Sequence, residues 1–546
     1  MSNKNYKDLS KEELIEKIEK LESRKKYGLI WDEEKTKEKF EKDAENALPV
    51  LKEIKGKEIK TDDESPINIL IEGDNYHALS VLNFTHQGKI DVIYIDPPYN
   101  TGKKDEWIYN DKYIDETDSY RHSKWLSFMS KRLKLAKKLL SEKGVVFISI
   151  DDNEEAQLKM LCDSIFGENN FERFIWKKKG GAGNTERIVG NLTEHILCYF
   201  KNKKPGVFNY RNIERQYKYK DEIGPYNLAG IEKTNLGSYE RKTMTFPITD
   251  PKTKKKFLPG HDMRWTSGEA SIKRMIEEEK IYFDYKKSKV LVIKRPEDYE
   301  ESSNVFYNLL TDFGSLSTAK SELYDYFGNR EIFDTPKPTQ LLIHLLEISS
   351  KKDSIILDFF AGSGTIGQAV LEYNKKIGGN RQFILCTNDE GKICTEICYP
   401  RVSKTINGYK TPKNEYIKGL GGNLKYYKTA FVKNSVSRDE MKMKITGQCT
   451  EMLCLREGIF EEIKSLKSYK IFKQNNKIMA VYYSLEKDKL DSLKNSLDKI
   501  KGEKVLYCFT LDYLGLDKND FIGWDDIRLE PIPQKILDVY KDIYEY

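Results

Sequence analysis

The sequence is poor in the features that announce many protein classes. Its eight cysteines, Cys162, Cys198, Cys386, Cys394, Cys398, Cys449, Cys454 and Cys508, include no CxxC pair. Cys394 and Cys398 lack a second ligand pair at zinc-site spacing, so free or buried thiols are expected, and no metal. The opening MSNKNYKDLS has no apolar signal core. No stretch approaches the roughly 18 apolar residues of a membrane span. These absences fit a reducing cytoplasm and no membrane partner. The Gly-x-x-x-x-Gly-Lys-Ser/Thr loop of ATP-driven enzymes is missing, which argues against a complete restriction or helicase subunit. Bulk charge is missing too: 93 Lys and Arg against 87 Asp and Glu leave +6. Any nucleic-acid footprint must therefore be local.

What remains is a chain of 546 residues, 38% apolar and 33% charged. That length suggests roughly three or four domains with packed cores and a charged surface. Residues 10–26 have capping-box spacing at Ser10 and Glu13, then Leu14, Ile18 and Leu21 on one face, so a short helix is expected. The chain reads as charged and helical to residue 64. From 65 to 204 strands alternate with helices, which implies a parallel sheet covered on both faces. Residues 205–330 lose that rhythm, and Lys and Arg interleave with Tyr and Trp. The rhythm resumes over 331–435. The tail, 436–546, holds a strand at 477–484, a helix at 487–502 and a strand at 504–511. It reads as a small structural or partner-binding βαβ unit.

Two strand ends carry the chemistry. In DVIYIDPPYNTG (91–102) an apolar run stops on Asp96, followed by Pro97, Pro98 and Tyr99. In SIILDFFAGSGT (354–365) another run stops on Asp358, and Gly362 and Gly364 allow a tight turn against a ligand before a helix starts. The string GSGTIG also matches the spacing of dinucleotide folds, so by itself it leaves a NAD site open. His86, His122 and His195 show no ligand spacing and are expected to be structural.

Together, DPPY (96–99) and DFFAGSGT (358–365) resemble the two signature motifs of the S-adenosylmethionine-dependent amino-methyltransferases of DNA, with the catalytic motif first as in the β class. The phrases KYGLIW, LIEGDNYHALSVL, SIDDNEEAQLKML and FDTPKPTQLLIHLLEIS are similar to modification subunits of type III restriction–modification systems. The resemblance spans about residues 26–410. It implies a Rossmann-like α/β methyltransferase sheet in permuted motif order, with an inserted target-recognition domain at 205–330 and a small C-terminal α/β domain. It implies transfer of a methyl group to adenine N6, because cytosine-N4 members more often have Ser in place of Asp96. Cytosine-N4 or RNA methylation, or a DNA-recognition role in a larger defence complex, are the alternatives. Asp96 and the Pro97 carbonyl would accept from the amine, with Pro98 fixing the backbone and Tyr99 stacking on an extruded base. Asp358, Phe360, Ala361, Gly362, Ser363, Gly364 and Thr365 would hold S-adenosylmethionine. Lys337 would pair with its methionine carboxylate, Asp74 with its adenine, and Asn388 stands near its ribose. The expected partners are double-stranded DNA, a second copy of the chain and a helicase–nuclease subunit. The basic loop KKKGGAGN (177–184) is expected near the DNA.

Overall fold

The computed structural model describes residues 10, 11, 14, 15 and 47–544, apart from 103–107, 110–111, 114–117, 119, 182–188, 212–215, 300–304, 434, 436 and 513–514. Most of the expected helix at 10–26, and residues 182–184 of the basic loop, lie outside the described residues. The chain forms two compact units, residues 1–208 with 307–546, and residues 209–306.

The first unit is built on a ten-stranded sheet. Its strands, in chain order, are β1 (Ala47–Glu53), β2 (Ile67–Glu72), β3 (Ile90–Ile95), β4 (Leu140–Ile150), β5 (Phe171–Lys177), β6 (Thr193–Phe200), β7 (Leu309–Leu310), β8 (Ile355–Asp358), β9 (Gln382–Thr387) and β10 (Asn423–Lys433). They lie in the order β1-β10-β2-β9-β8-β3-β4-β6-β5-β7. The stretch from β10 to β4 is parallel. The central strands β2, β3, β8 and β9 read as near-continuous apolar runs because helices cover both faces. Helices α1 (Asn75–Thr85), α2 (Arg121–Leu139), α3 (Glu155–Phe166), α4 (Thr339–Ser349) and α5 (Thr365–Ile377) supply that cover.

Three expectations are corrected. The sheet is mixed rather than parallel: β6 runs antiparallel to both β4 and β5. Among the described residues no helix separates β5 from β6, and a parallel return needs a crossover. The segment before residue 64 is not wholly helical, since Ala47–Glu53 pairs antiparallel with β10 and buries Leu48, Val50 and Leu51. A tertiary sheet edge has overridden the local charge pattern. The insertion also ends sooner than residue 330. Leu309 and Leu310 already pair with Ile175 and Trp176 of β5, and the helix Leu316–Phe327 follows, capped by Ser315 and Thr318.

The tail contains the expected βαβ: strand Lys477–Tyr482, helix Leu490–Asp498 and strand Glu503–Phe509, parallel within a five-stranded sheet. It is not an independent body. Cys449, Met452, Leu453 and Ile536 share one apolar core with Leu79 and Leu82 of α1. Arg456 donates to the Phe84 carbonyl at 3.2 Å and Lys89 to the Arg456 carbonyl at 2.9 Å. All eight cysteines are buried, unpaired thiols.

Residues 209–306 hold a four-stranded sheet of Ile281–Asp284, Lys289–Lys294, Pro225–Gly230 and Tyr219–Lys220. Its own small core comprises Ile231, Ile248, Phe257, Trp265, Ile272, Val290 and Val292. Among the described residues no helix is long and apolar enough to cross a membrane, and no His/Cys/Asp/Glu group could hold a metal.

His86, at the end of α1, is buried against Thr85, whose hydroxyl lies 2.7 Å from its Nδ1. Burial pulls its imidazole down to about 3. The folded chain keeps this ring neutral while the unfolded chain protonates it below about pH 6.5. Stability is therefore fully present above that pH and is lost as pH falls toward 3. Near pH 5 this group alone withdraws about 2 kcal/mol. Urea titrations at about pH 5 and 7.5 should show that loss, and His86→Gln should lose correspondingly less.

Candidate active site

β8 lies between β9, which follows it in the chain, and β3, which precedes it. The connections diverge there, and the carboxyl edge of such a switch point is where open α/β sheets bind ligands. Asp358 ends β8, Asp96 follows β3, Asp74 follows β2 and Asn388 follows β9. The sequence-predicted residues thus converge on one edge.

Asp358 is buried and its Oδ1 accepts from the Phe360 amide at 2.9 Å. Burial pushes its carboxyl well up, and the charge of Asp96 adds to this. The turn that follows needs glycine. Gly362 has φ +49°, and a Cβ there would sit 2.9 Å from the Phe333 ring. Ala361 donates to the Cys386 carbonyl at 3.1 Å, which ties the turn to β9. Arg401, fully buried, donates to Ser363 Oγ at 3.1 Å, Thr365 Oγ1 at 2.7 Å and Gln368 Oε1 at 2.9 Å. Phe360 keeps a partly exposed ring 5.8 Å from Phe128.

Asp74 caps α1 by accepting from the Tyr76 amide at 2.8 Å. Arg132 of α2, nearly wholly buried, lies 3.4 Å from Asp74 and donates to Asn75, whose amide in turn donates to the Phe359 carbonyl at 2.9 Å. Asn388 is exposed at the end of β9, and its neighbour Asp389 accepts from the Thr395 amide and hydroxyl.

At the other strand end, Asp96 meets a cluster. Lys337 lies 2.6 Å from Asp96 Oδ2, 3.1 Å from Glu194 Oε1 and 2.9 Å from the Tyr99 hydroxyl. The Tyr99 oxygen is 2.7 Å from Asp96 Oδ1 and 2.6 Å from Glu194 Oε1. The three N–H bonds of Lys337 are therefore spent on this cluster, unlike the expected pairing with a cofactor carboxylate. Burial pushes the Asp96 carboxyl up against the pull of Lys337. Burial also pushes on Glu194, but Lys337, Tyr99 and Lys178 together hold it below its ordinary range. Burial pulls the Lys337 ammonium down, and Asp96 and Glu194 outweigh it, leaving the charge raised. Trp125 Nε1 donates to the Pro98 carbonyl at 2.7 Å, pinning the second proline. Asn100, with φ +56°, is buried and donates to Glu154, which also binds His122.

Sequence reasoning missed Glu194, Arg132, Arg401 and Trp125. Glu194 reaches this edge because the antiparallel β6 brings its amino end, not its carboxyl end, here, a long-range pairing that the local sequence does not mark. Arg132 is hidden among the exposed and half-buried lysines of a basic helix, and no pattern marks it or Arg401.

The DNA methylase family matches residues 90–398, more than half of the chain. The chain belongs to the DNA methylase family. This methylase is 34% identical over 359 residues to the type III restriction-modification enzyme StyLTI Mod subunit of Salmonella typhimurium, covering 59% of this chain and 52% of that one. It is 33% identical to the EcoPI Mod subunit of Escherichia phage P1, over 66% of this chain and 62% of the relative. It is 30% identical to the type II methyltransferase M.KpnI of Klebsiella pneumoniae, covering 90% of that protein and 66% of this one. The methylase thus spans between half and two thirds of the two Mod subunits.

The left-handed Gly362, the phenylalanine ring beside it and the buried Asp358 suit a ligand pressed against the turn. Alanine at 362 would have to adopt a positive φ and displace the Phe333 ring. The expected cost is about 1–2 kcal/mol, or about 5- to 30-fold in the affinity of a ligand seated on the turn, read by calorimetric titration with S-adenosylmethionine.

Proposed function

We propose that the chain is a sequence-specific DNA methyltransferase acting on adenine N6, the modification subunit of a type III-like restriction–modification system. The observation that carries this reading is the convergence of the Asp96-Pro97-Pro98-Tyr99 strand end and the Asp358–Thr365 turn on neighbouring parallel strands.

The amine lone pair of adenine is delocalised into the ring, so it must be turned toward the methyl donor. Two acceptors on its N–H bonds do this: the Asp96 carboxylate and the Pro97 carbonyl. Lys337 and Tyr99 each occupy one lone pair on the two Asp96 oxygens, and each oxygen has a second for the amine. A rigid, preplaced acceptor reorganises little during the reaction, which is where its advantage lies. The Tyr99 ring supports the extruded base, with Lys337 5.1 Å from its centroid. S-adenosylmethionine, when bound, supplies a methyl group activated by the sulfonium. Asp358, Phe360, Ala361, Gly362, Ser363, Gly364 and Thr365 hold it, with Asp74 and Asn388 at the adjacent strand ends. Residues 209–306 serve target recognition; their exposed Tyr219, Tyr239 and Tyr282, among Lys and Arg side chains, suit phosphate and base contacts. A homodimer and a helicase–nuclease partner complete the reading, in the cytoplasm.

The test is incubation of the purified chain with labelled S-adenosylmethionine and sequence-diverse DNA, followed by nucleoside mass spectrometry. N6-methyladenine is expected. N4-methylcytosine, or no product, would refute adenine transfer. Long-read detection of modified bases in an expressing host would give the recognised sequence.

A further inference from the structure

The cluster around Asp96 holds one hydrogen fewer than its short contacts need. The Tyr99 hydroxyl carries a single hydrogen. Its oxygen nevertheless lies 2.7 Å from Asp96 Oδ1 and 2.6 Å from Glu194 Oε1. Lys337 cannot supply the missing link, because its N–H bonds already reach Asp96 Oδ2, the Tyr99 oxygen and Glu194. With both acids ionised, the hydroxyl hydrogen fills one contact. The other brings two oxygens together with nothing between them. One proton on Asp96 Oδ1 repairs this: Asp96 donates to Tyr99, and Tyr99 donates to Glu194.

We propose that Asp96, the Tyr99 hydroxyl and Glu194 together accept the proton that the target amine sheds on methylation, with Glu194 as the positioning residue that turns the hydroxyl away from Asp96. This rests on the reading of the site as an amino-methyltransferase. Methylation leaves the exocyclic nitrogen with four bonds. One N–H bond breaks, its electron pair returns to nitrogen, and an O–H bond forms on Asp96 Oδ1. The Tyr99 O–H bond stays intact and swings from Asp96 to Glu194. Glu194 remains ionised, held by Lys337 at 3.1 Å and Lys178 at 3.5 Å. The proton returns to solvent when the methylated base leaves.

The charges around the chain favour this order. Asp96 faces Glu194, Lys337 and Tyr99, with Asp358 and Tyr94 coupled to it electrostatically. Burial, with Glu194 adding to it, raises the proton affinity of Asp96. Glu194 is held below its ordinary range, despite burial, by Lys337, Tyr99 and Lys178. The geometry agrees with this order: Lys337 and Lys178 both face Glu194, whereas Asp96 has Lys337 and would be the one to take the proton.

Two variants of the full chain test the proposal. Tyr99→Phe keeps the stacking ring and removes the hydroxyl. Glu194→Gln keeps the shape and removes the charge. Single-turnover methyl transfer is measured between about pH 5 and 9, alongside base extrusion by 2-aminopurine fluorescence, substrate KM and thermal melting. Tyr99→Phe is expected to transfer about 10- to 100-fold more slowly with extrusion and KM unchanged. Glu194→Gln is expected to move the acidic limb of the profile to lower pH, because Asp96 loses a neighbouring negative charge. A contact that only packs would leave that limb in place. Tyr99→Phe turning over within about twofold of wild type, or an unmoved limb in Glu194→Gln, overturns the proposal. If Tyr99→Phe melts early, the Glu194→Gln limb decides. A wild-type chain that makes no methylated DNA sinks the methyltransferase reading itself, which is a separate outcome.

Discussion

Alanine in place of Asp96 is expected to cut methyl transfer by a factor of about 10³ or more while leaving S-adenosylmethionine affinity within about threefold. The two effects separate because the motifs hang on different supports. Asp96 follows β3, whereas the glycine turn follows β8 and is held by Arg401 and the Cys386 carbonyl. Asp96 is half-buried, and removing such a carboxylate from a buried cation normally strands the cation. Here Lys337 keeps Glu194 at 3.1 Å and the Tyr99 oxygen at 2.9 Å, so the fold should persist. Single-turnover assays and equilibrium dialysis of labelled cofactor check the two halves. Retained turnover would remove Asp96 from the reaction. Lost cofactor binding would show that the two strand ends are not independent.

Arg401→Met is expected to destabilise the first unit by about 3–5 kcal/mol and to weaken cofactor binding with it. The guanidinium is fully buried and serves three acceptors on Ser363, Thr365 and Gln368. It also lies 3.6 Å from Glu322. Methionine fills a similar volume but leaves those acceptors unserved. Glu322, whose carboxyl burial already pushes up, would keep Thr339 as a partner and lose its countercharge. Urea unfolding should show the midpoint fall at unchanged slope. A change below about 1 kcal/mol would mean that the turn is held by its backbone alone.

The parts of the site that lie in contiguous strings were legible in the sequence. DPPY and DFFAGSGT each combine an apolar run, an acid and a backbone-shaping residue, and each pattern is local. The strand–helix alternation puts both motifs in one sheet, whereas their meeting on adjacent strands is a long-range pairing of β3 with β8. Glu194 was not legible as a site residue, because its place depends on β6 running against β4, a long-range pairing. Lys337 was legible as a site residue but not in its partner: the upstream phrase places it near the motifs, whereas the choice between a ligand carboxylate and Asp96 is made by three-dimensional distance. The insertion boundary failed for a related reason. Two residues, Leu309 and Leu310, are too short a strand to show periodicity, yet they return the chain to the main sheet. The strand at Ala47–Glu53 is hidden in a charged segment and exists because β10 offers it an edge.

The burial of every cysteine has a practical consequence. Burial pushes the Cys162 and Cys198 thiols up, and Cys449 to about 12. A native thiolate is thus scarce and shielded at each position. Maleimide dyes would leave the folded chain unmarked, so a single cysteine introduced on its surface would take a probe at that one place. Conversely, the rate at which the native thiols become reactive would time the opening of the core around them.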